Sequence, residues 1–85
     1  PPPASLAAAI AALDMLQDDE FVTAAIEERL RDAIVEGMGV KPRFAFTPLR
    51  VALTGRRVSP PLFESMELLG KGSTLERLVR LRDAL

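Results

Sequence analysis

Glycine and proline punctuate this chain more sharply than any other feature. Prolines at 42, 48, 60 and 61 and glycines at 37, 39, 55, 70 and 72 cut it into short pieces. Between the breaks, apolar residues recur at three- and four-residue spacing, the repeat of one helix face. A strand would need strict alternation. Only Phe44 and Phe46 alternate, and Pro42 and Pro48 leave that segment little room.

The caps define each helix in turn. Ser5 is the expected N-cap of a first helix with Leu6, Ala9, Ile10 and Leu13 on its inner face, ended by the polar run Gln17-Asp18-Asp19-Glu20. Thr23 is the expected cap of a second, with Ile26, Leu30, Ala33, Ile34 and Met38 inward and Gly37 or Gly39 at its end. Thr47-Pro48 reads as cap and first position of a third, closed by Gly55. Ser59-Pro60-Pro61 repeats that signal, with Leu62, Met66 and Leu69 inward and Gly70 ending the turn. Ser73-Thr74-Leu75-Glu76 has the form of a capping box before a last helix with Leu75, Leu78 and Leu81 inward and Arg77, Arg80 and Arg82 outward. The five glycines fall near helix ends, and none builds a phosphate-cradling loop. The expected fold is all-α, a compact cluster of about five short helices in one domain over residues 1–85. Pro1 to Ala4 read as a linker or cut edge.

Eighty-five residues make a small domain. A chain of this size buries only about two-thirds or less of its unfolded surface. The core is built from Leu, Ile, Val and Ala with four phenylalanines. Cysteine and histidine are both absent, which excludes disulfides, thiolate or imidazole metal ligation, and Ser-His or Cys-His nucleophile pairs. No apolar run reaches the length of a membrane span, and a cytoplasmic location is expected.

The formal net charge of −1 conceals a division. Residues 1–40 hold two arginines against eight carboxylates, and residues 41–85 hold nine lysines or arginines against four. Lys41, Arg43, Arg50, Arg56 and Arg57 crowd residues 41–57, where no acid occurs. Such a stretch attracts polyanions, although charge runs are more often plain solvated surface. Catalysis finds no foothold. Asp18/Asp19 and Glu27/Glu28 are sequence neighbours whose side chains point apart, and Ser59 and Ser73 are more naturally caps.

Four segments carry further information: Pro48-Leu49-Arg50-Val51-Ala52-Leu53-Thr54-Gly55, Ser59-Pro60-Pro61-Leu62-Phe63-Glu64, Leu68-Leu69-Gly70-Lys71 and Leu75-Glu76-Arg77-Leu78. In this order and spacing they resemble the C-terminal anticodon-binding domain of bacterial glutamyl-tRNA synthetases, the class I glutamate–tRNA ligases. Any one segment is weak, but four in register multiply their specificity. Residues 1–40 match only in helical character and in the pattern Ile26-Glu27 with Leu30-Arg31. Pro61 departs from the small residue frequent in the family, and Gly72 from a frequent acid.

The resemblance implies a domain that holds the anticodon loop of the glutamate tRNA and is not itself catalytic. ATP and Mg belong to the parent's catalytic domain, and no cofactor is expected in this fragment. By motif position the implied anticodon contacts are Arg50, Ser59, Pro60 and Leu62, with Lys41, Arg43, Arg56 and Arg57 on the phosphate backbone. Arg50 offers a rigid fork of donors for a base edge. Each has a structural alternative: Arg50 can pair with an acid of another helix, Ser59-Pro60 can be a cap, and Leu62 can be core. A different class, a small helical protein–protein interaction module, is the alternative function. The acidic helix 24–37, with Glu27, Glu28 and Asp32, is the candidate surface for a partner protein.

Overall fold

The first helix begins ahead of the serine expected to cap it. The structure, a computed structural model, describes residues 2–55 and 61–85. Helix α1 spans Pro2–Asp14, so Ser5 lies inside it and is buried. Prolines suit a first turn, whose N–H groups have no partner within the helix. Leu6, Ala9 and Leu13 form its fully buried stripe. A 3-10 turn over Asp18–Glu20 follows, its start fixed by the Gln17 N–H donating to the Glu20 carboxylate at 2.9 Å. Leu16 and Phe21 on either side are buried and tie this connection to the core.

Helix α2 spans Thr23–Leu30 and runs without a break into a π-helical turn, Arg31–Glu36. Its buried residues are Ile26, Leu30 and Ile34, each four apart. Four residues of α-helix overshoot a full turn by about 40°. A wider π turn rotates less per residue and swings Ile34 back onto the face set by Ile26 and Leu30. The turn closes where the Gly37 N–H donates to the Asp32 carbonyl. A Cβ on Gly37 would sit 2.9 Å from that carbonyl oxygen, so closure in this form requires glycine. Gly37 is therefore part of the helix and Gly39, at φ +68°, is the residue that turns the chain.

Thr23 is the first residue of α2 and Val22 its N-cap. The capping acceptor comes from elsewhere: Glu67 Oε1 accepts the Thr23 N–H at 2.5 Å and the Thr23 hydroxyl at 2.6 Å. These bonds, the hydroxyl's first, hold the Glu67 carboxyl below its ordinary value of 4.5.

Helix α3 spans Pro42–Thr54, starting six residues before the expected Pro48. Pro42 stands at the head of the helix, where it is well suited, and Lys41 is the extended N-cap residue. Pro48 sits inside and removes one backbone hydrogen bond, a cost of about 3 kcal/mol in isolation. Burial of Ala45, Phe46, Leu49 and Leu53 along one stripe outweighs it. Thr47 is no cap: its hydroxyl donates back to the Arg43 carbonyl at 2.7 Å. Gly55, at φ +74°, ends α3 as expected.

Helix α4 spans Leu62–Leu69 and α5 spans Lys71–Ala84. Gly70, at φ +84°, both ends α4 and precedes the first residue of α5. The expected capping box therefore has no terminus to cap. Ser73 lies within the first turn, Thr74 is buried with its hydroxyl on the Met66 carbonyl at 3.2 Å, and Glu76 pairs with Arg80. Leu78 is the fully buried apolar residue of α5, with Leu75 and Leu81 packed beside the core.

Helix α1 packs on α5 and α2 on α4, while α3 lies against α5, α4 and the π turn. One apolar core runs through all five helices. Met38, expected inside, is 42% exposed, because it falls beyond the π turn where the stripe has ended. No helix among the described residues is long and apolar enough to cross a membrane.

Candidate nucleic-acid interface

The exposed side of α3 carries the basic residues that the sequence singles out. Arg43, Thr47 and Arg50 are spaced four and three apart and so share a face. With Pro42 and Phe46 they line a groove of about 350 Å³ that contains no acidic residue. Seven residues of helix set the bases of Arg43 and Arg50 about 10 Å apart along its length.

The groove has a fixed floor. Phe46 is 7% exposed, and its ring meets that of Phe63 in α4 edge to face, centroids 5.2 Å apart at 89°. From the π turn, the Arg31 guanidinium lies 5.4 Å from the Phe46 ring centroid. Arg31 is itself held by Glu27 one turn earlier, at 2.8 Å. Three helices thus fix one ring, and that ring sets the depth of the groove. Sequence reading leaves Phe46 and Arg31 out of the site, since nothing local to either residue reports their meeting.

Arg50 is half-buried at the rim. Its carbonyl accepts the Thr54 hydroxyl at 2.8 Å. The alternative of an interhelix ion pair is absent: among the described residues, no carboxylate pairs with the Arg50 guanidinium. Lys41 and Arg43 are exposed. Leu62 is 2% exposed and belongs to the core, so its apolar surface is used inside the domain. Its helical spacing with Met66 accounts for that placement. Arg56, Arg57, Ser59 and Pro60 lie outside the described residues.

A second groove, about 400 Å³, runs between α3 and α5 and includes Glu76, Arg77 and Arg80. Its cations are already engaged. Arg80 pairs with Glu76 at 2.5 Å, and Arg77 Nη1 donates to the Leu53 carbonyl at 2.8 Å. Arg77, exposed as expected, also caps the end of α3, where carbonyls lack partners within the helix. Among the described residues, Arg43 and Arg50 of the α3 groove form no ion pair.

A family model described as an anticodon binding domain matches residues 2–82. The chain belongs to that family. As an anticodon-binding domain it is 64% identical over 81 residues to a glutamate–tRNA ligase of Leifsonia xyli, covering 95% of this chain and 16% of the relative. It is 62% identical over 80 residues to one of Kineococcus radiotolerans, covering 94% and 16%. A third relative, the glutamate–tRNA ligase of Bifidobacterium adolescentis, is 55% identical over 83 residues, covering 98% and 16%. The domain therefore spans about 16% of the length of these relatives.

Proposed function

We propose that this domain holds the anticodon loop of the glutamate tRNA in the α3 groove and so supports tRNA selection by a glutamate–tRNA ligase. The observation carrying this reading is the Arg50 guanidinium, which rims an acid-free groove and pairs with no carboxylate among the described residues. A fork of fixed donors with no internal acceptor suits the acceptor edge of a splayed-out base. Lys41 and Arg43, with Arg56 and Arg57, follow the phosphate backbone and supply salt-dependent attraction. Ser59 and Pro60 complete the base contacts, and Leu62 positions them by anchoring the first turn of α4 in the core.

Joining glutamate to tRNA at the expense of ATP belongs to a catalytic domain elsewhere in the longer protein. ATP and Mg would be held in that catalytic domain; among the residues described here, no group of three or more acidic or other metal-ligating side chains converges. The protein's location is the cytoplasm, where aminoacylation for translation takes place. A protein partner would dock on the acidic helix 24–37, where Glu28, Asp32 and Glu36 remain exposed, away from the groove.

The deciding experiment is an NMR titration of the labelled domain at low salt with an anticodon stem-loop of the glutamate tRNA, beside a loop of scrambled anticodon. The expected result is selective shifts at Arg50 and at residues 59–62 with the cognate loop. Equal shifts with both loops would reduce the contact to backbone attraction. No shift with either would end the reading.

A further inference from the structure

Phe44 takes no part in the groove, yet it is the most exposed of the four phenylalanines. It is 58% exposed, although the two residues that follow it, Ala45 and Phe46, are buried. The Arg43 guanidinium lies 5.0 Å from the Phe44 ring centroid. Arg43 also lines the α3 groove, so the same side chain joins groove and ring. Phe44 projects about 100° round the helix from Arg43, on the shoulder of the groove's face. Lys41 is exposed beside it, and no acid occurs between Val40 and Gly55.

An isolated exposed phenylalanine needs no explanation. An exposed ring with a guanidinium beside it, a lysine nearby and an acid-free groove adjoining has the composition of a single-strand RNA platform. Such platforms combine cations that follow the backbone with a flat ring on which an unpaired base lies. An apolar protein partner would instead have to strip water from Lys41 and Arg43, without acids of its own surface being drawn into the groove.

We infer that Phe44 is a stacking platform for an unpaired base of the loop that Arg50 engages, and that Arg43 supports the ring while meeting the adjoining phosphate. This inference rests on the anticodon-loop reading and adds a contact to it. Because stacking is indifferent to base identity, Phe44 contributes affinity while Arg50 contributes selectivity.

The test titrates the 85-residue chain with a glutamate-tRNA anticodon stem-loop carrying 2-aminopurine in the loop. The parent chain, Phe44→Leu, Phe44→Trp and Arg50→Ala are compared, with far-UV circular dichroism verifying the fold. Phe44→Leu is expected to weaken binding roughly tenfold or more, relieve the quenching of 2-aminopurine and leave the salt dependence unchanged. Phe44→Trp is expected to restore both affinity and quenching. If Phe44→Leu binds as tightly as the parent chain while Arg50→Ala binds weakly, the platform is refuted and the anticodon reading stands. Equal weakness of the leucine and tryptophan variants refutes stacking as well. If the parent chain binds no stem-loop at low salt, both fall together.

Discussion

Replacing Phe46 by leucine separates the groove's floor from the bulk of the core. Leucine keeps an apolar side chain at a position that is 7% exposed, so little burial is lost. What disappears is specific to the ring: the edge-to-face contact with Phe63 and the Arg31 guanidinium over its face. Aromatic pairs contribute about 0.5–1.5 kcal/mol beyond burial, and a partly exposed cation on a ring about 0.5–1 kcal/mol. The expected destabilisation is their sum, about 1–2.5 kcal/mol, and a domain of this length loses roughly 4–8 °C in Tm per kcal/mol. Urea unfolding of Phe46→Leu, Phe63→Leu and the double variant completes a thermodynamic cycle. Its coupling energy should reach about 0.5 kcal/mol or more, since the two rings are in contact. Strict additivity would refute the account of the floor. With the floor lowered, the groove that Arg50 rims changes shape, so stem-loop affinity should fall under conditions where the variant remains folded.

Three further outcomes follow from other parts of the molecule. Arg50→Ala should weaken stem-loop binding by about 1–3 kcal/mol with unchanged circular dichroism, as for loss of a base-edge contact; a much smaller loss would defeat the assignment. Gly37→Ala should lower Tm, because the added Cβ meets the Asp32 carbonyl oxygen at 2.9 Å. Helix propensity alone predicts a gain of about 1 kcal/mol, so a raised Tm would overturn the π-turn argument. Glu67 has a depressed carboxyl pKa, so its pairing with Thr23 contributes stability that is full above the ordinary value of 4.5 and lost as pH falls through the depressed one. Glu67→Gln should therefore flatten the acid limb of a plot of Tm against pH; an identical acid limb would remove Glu67 from that role.

Helical character was legible in the sequence because it depends on spacing within a single segment. Leu6, Ala9 and Leu13 on α1, and Ile26, Leu30 and Ile34 along α2 and its π turn, are buried as their periodicity requires. Gly55 and Gly70 end their helices because a left-handed residue is a local demand. Helix starts were read less well, and for one reason. Thr23, Thr47 and Ser73 all carry hydroxyls of the capping kind, yet each sits at or beyond the first residue of its helix. Glu67 supplies the cap of α2 across 44 residues of sequence, and core burial carries α3 through Pro48. Both effects are tertiary and leave no local trace. The site divides in the same way. Arg50 stood out through the motif that contains it, whereas the ring beneath it is held by Arg31 and Phe63, fifteen and seventeen residues away in opposite directions.

The bond from Arg77 to the Leu53 carbonyl fastens only one end of α3. At the other end, Lys41 to Phe44 are exposed, and Pro48 interrupts the ladder between the two. Amide protons on either side of Pro48 should therefore exchange with deuterium at different rates, slow toward Leu53 and fast toward Phe44. A ribbon clamped at one end moves most at the other. The exposed first turn that bears Arg43 and Phe44 is the part free to adjust, while Phe46 stays seated in the core and Arg50 lies on the anchored side of Pro48, keeping its aim as an incoming strand settles.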